Sequence, residues 1–173
     1  MSTQARLILV TGGARAGKSA FAQEWVRALG DGRVSFIATA QPLDEEMRQR
    51  IEKHRAERPG SWEVLEEPLE VPRALAQAQG RVALLDCLTL WVSNLMLAGR
   101  EVLPEIENLL AVHTQTGKTL LVVTNEVGLG IVPDNPLARR YRDLLGAANR
   151  RVAGEADLVY LLVSGIALKI KPL

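Results

Sequence analysis

Short apolar runs alternate with longer amphipathic segments along the chain. The apolar runs cover residues 7–10, 34–38, 82–85, 120–124 and 158–163, and a weaker one covers residues 62–65. They are almost continuously apolar, which is typical of strands that helices cover on both faces. Between them, residues 18–29, 44–57, 88–98, 104–116 and 136–155 show helical patterns. The alternation predicts an α/β fold with a mainly parallel sheet flanked by helices.

Several residues mark the predicted helix ends. Asp44 suits an N-cap, Pro104 and Pro136 suit the first turn of a helix, and Pro59 suits a position just after one. The sequence contains no internal repeat, low-complexity tract or linker. We therefore expect a single domain spanning residues 1–173.

Composition and charge narrow the class of protein. The 173 residues include 21 basic and 20 acidic side chains, which gives a formal net charge of +1. This balance argues against a dedicated nucleic-acid-binding protein, because such a protein needs a basic face. No apolar run is long enough to span a membrane, and a single cysteine excludes an internal disulfide framework. We expect a cytoplasmic protein with no nucleic-acid partner.

A phosphate-binding loop follows the first predicted strand. Residues 12–19 match the pattern G-x-x-x-x-G-K-[ST] and lead into a predicted helix. The glycines let the backbone curl so that amide groups point at phosphate oxygens, and the positive end of the helix faces the same place. We expect Lys18 to reach the outer phosphates of ATP or GTP, and Ser19 to bind Mg²⁺. The predicted nucleotide-binding residues of this loop are Gly12, Gly13, Ala14, Arg15, Ala16, Gly17, Lys18 and Ser19.

Two other strand ends carry candidate chemistry. Asp86 follows the apolar run 82–85, so we expect it at the carboxyl edge of the sheet, where ligands bind. Asp86 can help Ser19 to hold the metal, or it can cap the next helix, and the two roles are compatible. The adjacent Cys87 is better explained as a small buried side chain than as a reactive thiol. After residue 124, Glu126 and two glycines form either a loop near bound substrate or an ordinary connection.

A histidine lies in the most charged segment of the chain, residues 39–59. On a helix, Met47, Ile51, His54 and Arg58 fall on one side. A neutral His54 could attack a phosphorus atom while Arg50 and Arg58 neutralise the phosphate charge. The same spacing also fits a solvated or partly packed histidine on an amphipathic helix.

These features resemble one enzyme family along nearly the whole chain. The resemblance covers residues 11–19, 37–41, 44–47, 50–51, 54, 58–59, 62, 85–89, 92–95, 124–128, 130–133, 137–139, 142–143 and 164–165. The string from Asn125 to Pro133, combined with His54, is its most specific part. The family is that of the bifunctional adenosylcobinamide kinase/adenosylcobinamide-phosphate guanylyltransferases of cobalamin biosynthesis.

The resemblance implies a RecA-like P-loop fold, a homo-oligomer and two reactions. Enzymes of this family phosphorylate the aminopropanol hydroxyl of adenosylcobinamide with a nucleoside triphosphate, ATP or GTP. They then transfer GMP from GTP to that phosphate, which gives adenosylcobinamide-GDP and releases pyrophosphate. The second reaction is understood to pass through a guanylylated histidine, and the matching position here is His54. The resemblance also assigns nucleotide contacts to Thr39, Ala40, Gln41, Arg55, Ala56, Glu57, Arg58, Glu66 and Asp86.

Two positions depart from the family pattern. Ala16 replaces the usual serine of the phosphate loop, and Lys53 stands where a second histidine can occur. We expect little loss from Ala16, because backbone amides do most of the phosphate binding. His113 lacks surroundings like those of His54, and we expect it to be structural.

Two other interpretations stay open at this point. One is a P-loop small-molecule kinase that forms no covalent nucleotide, and the other is a non-catalytic nucleotide-dependent switch. The absence of an Asn-Lys-x-Asp string argues against the switch.

Overall fold

A seven-stranded sheet organises the part of the chain that the computed structural model describes, residues 6–29, 33–56 and 58–172. The strands are β1 Leu7–Gly12, β2 Val34–Ala38, β3 Glu63–Glu66, β4 Val82–Asp86, β5 Thr119–Val123, β6 Leu158–Val163 and β7 Ile166–Lys171. Their order in the sheet is β3-β2-β4-β5-β1-β6-β7. The first six strands run parallel, and β7 pairs antiparallel with β6.

The helices follow the predicted alternation with the strands. They are α1 Lys18–Ala28, α2 Glu45–Ala56, α3 Val71–Gln77, α4 Leu88–Leu97, α5 Val102–Thr116 and α6 Pro136–Glu155. Asp44 is confirmed as the cap of α2, because its carboxylate accepts a hydrogen bond of 2.7 Å from the Met47 amide. Pro136 opens α6 as predicted, and Asn135 caps that helix by accepting from two amides of its first turn.

Two elements were absent from the prediction, α3 and β7. The seven-residue α3 contains a proline in its first turn and is too short to show a helical period. β7 follows β6 through the two-residue turn Ser164-Gly165, where φ is 51° and 81°. Positive φ at both central residues is what a tight two-residue hairpin requires, so this Ser-Gly pair is the signal that predicts the seventh strand.

The sheet buries side chains on both faces, as the continuously apolar strands predicted. In β1, Leu7 and Leu9 pack on one face, while Ile8 and Val10 pack on the other. The first face is covered by α3, α4, α5 and α6, and Trp91 of α4 is fully buried there. The second face is covered by α1 through Ala22 and Val26, with Trp62 beside them. No helix of the described residues is long and apolar enough to cross a membrane.

Strand order brings separate chain segments to one edge of the sheet. β5 lies between β4 and β1, and Val123 of β5 is level with both Asp86 of β4 and Val10 of β1. Because parallel strands end at the same edge, the residues after β1, β4 and β5 converge there. The predicted phosphate loop, Asp86 and the segment after residue 124 therefore meet at one place.

Candidate functional site

The phosphate loop runs from the end of β1 to the first turn of α1. Its backbone depends on left-handed conformations, with φ of 92° at Gly17 and 58° at Arg15. Gly12 lies so close to β6 that a Cβ atom there would come within 2.5 Å of the Leu162 carbonyl oxygen. The β6–β7 turn supports the loop from outside, because the Gly165 amide donates to the Ala16 carbonyl at 3.1 Å. This contact uses the backbone of Ala16, so it does not depend on the serine side chain that is usual at this position.

Lys18 and Asp86 lie close enough to influence one another electrostatically. The Lys18 ammonium is buried and donates a hydrogen bond to the Gly13 carbonyl inside the loop. Burial lowers the pKa of Lys18, while the negative charge of Asp86 opposes that change. Burial raises the pKa of Asp86, although a hydrogen bond from Ser19 and the charges of nearby cations act against it.

The Ser19 hydroxyl and the Asp86 carboxylate fit a magnesium ion. Ser19 lies close enough to Asp86 to lower the pKa of its carboxyl group, so two hard oxygen donors converge at the foot of the loop. Among the described residues there is no cluster of three or more His, Cys, Asp or Glu side chains that could hold a metal. Magnesium suits a site with few protein ligands, because it is usually held by one or two side chains together with substrate phosphates and water.

The helix-cap alternative for Asp86 is wrong. Cys87 is the N-cap of α4, and its sulfur accepts a hydrogen bond of 3.5 Å from the Leu90 amide. Burial and the neighbouring Asp86 raise the pKa of Cys87 to about 12, so the thiol is protonated at neutral pH. This agrees with the inert role expected for Cys87.

Thr39 fixes the backbone next to Asp86. Its side chain is fully buried, and its hydroxyl donates to the Cys87 carbonyl at 2.8 Å and accepts from the Cys87 amide at 2.9 Å. The Asn94 side-chain amide holds the Thr39 carbonyl at 2.9 Å. Thr39 thus positions the residue that follows Asp86, and its hydroxyl is already engaged within the protein.

α2 carries His54 above the carboxyl edge without burying any of its own side chains. The helix is stabilised by ion pairs along its surface, of 3.3 Å between Arg48 and Glu45 and 2.8 Å between Arg50 and Glu46. A further ion pair joins Arg55 to Glu66 at the end of β3.

The predicted face of α2 is confirmed. Met47, Ile51 and His54 of that face line one cavity of about 520 Å³, together with other α2 residues such as Arg50 and Arg55, and Arg58 lines it from beyond the end of the helix. His54 is exposed there, so its imidazole is accessible. This exposure fits both expectations for His54, a nucleophile at the cavity and a solvated histidine on the surface of the helix.

Arg58 is held rigidly beside this cavity. Its guanidinium lies over the Phe36 ring at 3.9 Å, and its Nε donates to the His54 carbonyl at 3.0 Å. Burial lowers the pKa of Arg58, and the charge of Asp86 opposes that change. One guanidinium nitrogen, Nη1, is buried without a hydrogen-bond partner among the described residues, which marks a donor that an anionic ligand can satisfy.

Two cavities meet at His54. The first is the 520 Å³ cavity beside α2, which also reaches Asp86. The second, of about 790 Å³, is lined by the phosphate loop and the start of α1. Three residues line both cavities: Arg50, His54 and Asn125.

The cavities bring together most of the predicted site residues. The phosphate-loop cavity is lined by Ala14, Arg15, Ala16, Gly17, Lys18 and Ser19. The cavity beside α2 is lined by Ala40, Arg55, Arg58, Glu66 and Asp86. Among the described parts of the chain, five predicted contacts line neither cavity: Gly12, Gly13, Thr39, Gln41 and Ala56. Glu57 lies outside the described residues.

Asn125 is a site residue that the residue patterns did not select. It lies two residues after the end of β5, the strand between β1 and β4 in the sheet. Its amide donates to the Thr89 hydroxyl at 2.8 Å, and its carbonyl accepts from the Asn149 side chain at 2.9 Å. The sequence did offer one signal for Asn125, because it is a polar residue immediately after the predicted strand 120–124.

His113 lies far from this constellation. It belongs to the last turn of α5, next to the start of β5 and hence at the opposite edge of the sheet. Burial lowers its pKa, so the imidazole is neutral over a wider pH range than usual. This placement agrees with the structural role expected for it.

Sequence comparisons agree with the geometry. The family described as cobinamide kinase / cobinamide phosphate guanyltransferase matches residues 8–170. The chain is 42% identical to the bifunctional adenosylcobalamin biosynthesis protein CobU of Salmonella typhimurium, covering 95% of this chain and 99% of that protein. It is also 42% identical to the bifunctional adenosylcobalamin biosynthesis protein CobP of Pseudomonas aeruginosa, covering 94% and 96%.

Solved structures confirm the expected RecA-like P-loop fold. The flagellar accessory protein FlaH from Methanocaldococcus jannaschii superposes with a TM-score of 0.54 at 12% identity, covering 96% of this chain and 76% of that chain. A second solved structure, an ATPase domain, superposes with a TM-score of 0.52 at 11% identity, covering 91% and 69%. At such identities the likeness concerns the fold alone. The sequence match over residues 8–170 and the two relatives at 42% identity decide the family: this chain is a member of the cobinamide kinase / cobinamide phosphate guanyltransferase family.

Proposed function

We propose that this protein makes adenosylcobinamide phosphate at its phosphate loop and then guanylylates that product through a covalent intermediate on His54. Membership of the family establishes the two activities, cobinamide kinase and cobinamide-phosphate guanylyltransferase. The observation that carries the covalent step is the position of His54, which lines both the phosphate-loop cavity and the cavity that reaches Asp86. A nucleophile at this junction can take GMP from a nucleotide and present it to a second phosphate.

The kinase step needs positioning and charge neutralisation more than acid–base chemistry. Lys18 is buried in the loop, where its ammonium donates to a backbone carbonyl. A triphosphate offers the ammonium stronger, charged acceptors. The substrate hydroxyl attacks the terminal phosphorus and releases its proton to solvent, the bond to the bridging oxygen breaks, and a nucleoside diphosphate leaves.

Magnesium is the metal that the oxygen donors of Ser19 and Asp86 would hold. When bound, it would neutralise phosphate charge and orient the triphosphate. Asp86 contributes a negative charge next to Lys18. The carboxylate of Asp86 suits the metal ion, and the ammonium of Lys18 suits the phosphates.

The guanylyl step proceeds by two displacements at the α-phosphorus of GTP. A nitrogen of neutral His54 attacks, the bond to the β-phosphate oxygen breaks, and pyrophosphate leaves. An oxygen of adenosylcobinamide phosphate then attacks the same phosphorus, the nitrogen–phosphorus bond breaks, and the imidazole is regenerated. Two displacements let two bulky, negatively charged partners use the site in turn.

Cations surround the phosphorus atom in this proposal. Arg50 lines both cavities, and Arg58 offers the buried Nη1 donor. Guanidinium groups match phosphate oxygens in geometry and charge. Arg55 and Glu66 complete the cavity beside α2, and we propose that they contact the nucleotide.

Labelling with GTP tests the intermediate. The protein is incubated with Mg²⁺ and α-labelled GTP in the absence of cobinamide phosphate, and protein-bound label is measured after denaturation. We expect label that is lost in acid and retained in alkali, because protonation of a phosphoramidate nitrogen makes it a good leaving group. γ-Labelled GTP should give no label, since the γ-phosphate leaves with pyrophosphate.

Two histidine variants complete the test. His54→Ala should lose the label and guanylyl transfer while still making adenosylcobinamide phosphate, because the kinase step uses the phosphate loop. His113→Ala is the matched control and should keep the label. Label that persists in His54→Ala would place the nucleophile elsewhere, and active guanylyl transfer without any label would favour direct attack by the substrate phosphate.

Three features of the assembled protein remain proposals. We propose that it acts in the cytoplasm, that it binds no nucleic acid, and that it forms a homo-oligomer. The near-neutral net charge supports the absence of a nucleic-acid partner. Light scattering of the purified protein measures the oligomer directly.

A further inference from the structure

The loop between β5 and α6 exposes aliphatic side chains beside the site. In this loop, residues 125–135, Leu129 is 90% exposed, Ile131 is 97% exposed and Val132 is 60% exposed. Leu129 and Ile131 are the two most exposed large hydrophobic side chains of the described residues. Apolar side chains exposed together commonly mark a binding surface.

Both ends of the loop are anchored. At the start, Thr89 and Asn149 bind the backbone of Asn125 at 2.8 and 2.9 Å. At the end, the Arg139 guanidinium donates to the carbonyls of Pro133 at 2.9 Å and Asp134 at 2.6 Å. The exposed side chains thus sit on a loop that is fixed on both sides.

The middle of the loop is organised as well. The Glu126 carboxylate accepts a hydrogen bond of 2.7 Å from the Gly128 amide, which closes a local turn. The Glu126 amide donates to the Gly12 carbonyl at 3.0 Å, so the loop leaves directly from the phosphate loop. From Asn125, which lines both cavities, six residues lead to Ile131, a chain length of at most about 20 Å.

The substrate of the proposed function has a large part that takes no part in the reactions. The phosphate-loop cavity measures about 790 Å³ and must accept the triphosphate. The reacting hydroxyl sits at the end of an aminopropanol arm, and a corrin macrocycle with amide side chains lies at the other end of that arm. With the nucleotide in the phosphate-loop cavity, we place the macrocycle at the mouth of the cavities.

We propose that Leu129 and Ile131 contact the corrin macrocycle of the cobinamide substrate. The inference rests on the proposed function and names the part of the protein that binds the non-reacting part of the substrate. Residues 127–133 carry no charged side chain, and a corrin presents methyl groups and neutral amides at its rim. One macrocycle position beside Asn125 serves both reactions, because the second acts on the phosphate that the first has attached.

Direct binding tests the contact without requiring turnover. Equilibrium dialysis with coloured cobinamide gives its Kd for the wild type, Leu129→Ser and Ile131→Ser. The control is Leu97→Ser, since Leu97 is 65% exposed at the end of α4, away from the carboxyl edge. We expect each loop variant to weaken cobinamide binding about tenfold, the effect of losing roughly half of the burial of one aliphatic side chain. Leu97→Ser should leave the Kd unchanged.

Two further measurements separate the outcomes. Labelling of His54 by α-labelled GTP and the mass in solution should be unchanged in the loop variants. An unchanged cobinamide Kd overturns the proposal, and a changed mass in solution also overturns it by assigning the loop to a second copy of the chain. Failure of the proposed function is seen separately, as absence of cobinamide phosphorylation or of His54 labelling in the wild type.

Discussion

Replacing Thr39 with valine separates a structural role from nucleotide binding. The Thr39 hydroxyl bridges the Cys87 amide and carbonyl at 2.9 and 2.8 Å in a fully buried position. Valine has nearly the same shape, so Thr39→Val removes these two hydrogen bonds with little change in packed volume. The nucleotide contact expected for Thr39 stays a prediction, and this variant tests it separately from the structural role.

The magnitude follows from the partners left behind. The Cys87 amide loses the acceptor provided by Thr39, whereas the Cys87 carbonyl still accepts from the Trp91 amide at 3.3 Å. A buried group left unsatisfied costs about 1–3 kcal/mol, so we expect a loss of about 2 kcal/mol in the free energy of unfolding. For a domain of this size that corresponds to a fall in Tm of about 4–8 °C.

Thermal unfolding at pH 7 without nucleotide measures this effect, and titration with a GTP analogue measures affinity. Thr39→Ser is the control, because it keeps the hydroxyl and loses only a methyl group, worth about 1 kcal/mol. A Thr39→Val protein with wild-type Tm and weakened GTP binding would refute the reasoning and make Thr39 a nucleotide ligand.

Three other substitutions test the site. Lys18→Ala should weaken triphosphate binding at least about tenfold and abolish both reactions, since the phosphates lose a charged donor; unchanged affinity in calorimetry would contradict the role of the loop. Asp86→Asn should lose activity yet be at least as stable as wild type at pH 7. The reason is that burial raises the pKa of Asp86 in the folded protein. The wild type therefore loses stability as the pH rises from the unfolded-state pKa to the folded-state pKa, and asparagine avoids this loss. A lower Tm for Asp86→Asn at pH 7 would give the carboxylate a structural role. Gly12→Ala should unfold about 5 °C or more below wild type, because its Cβ would meet the Leu162 carbonyl oxygen at 2.5 Å; an unchanged Tm would show that the strands yield freely.

Much of the fold was predictable because its signals are local. Continuously apolar runs marked the parallel strands, and Asp44 and Pro136 marked helix starts, since capping and proline geometry depend on adjacent residues. The hairpin of β6 and β7 was not predicted, because its only local signal is one Ser-Gly pair. In addition, β7 is an edge strand that alternates apolar and charged residues, unlike the buried strands beside it.

The sequence by itself also determined the chemistry of the loop and the family. The pattern of residues 12–19 requires a phosphate-binding turn wherever a strand precedes it and a helix follows, and the match over residues 8–170 confirms the family resemblance. The face of α2 was predictable from helical spacing, so Met47, Ile51 and His54 could be placed on one side before any packing was known.

Only the tertiary structure decided how these parts meet. The position of β5 between β4 and β1 brings Asn125 to the junction of two cavities, and strand order is set by packing between segments far apart in the chain. The same packing gave the Thr39 hydroxyl its two partners in the backbone of Cys87, which no local pattern of residues indicated. Residue types and spacings fix what each group can do, and long-range contacts fix which groups can do it together.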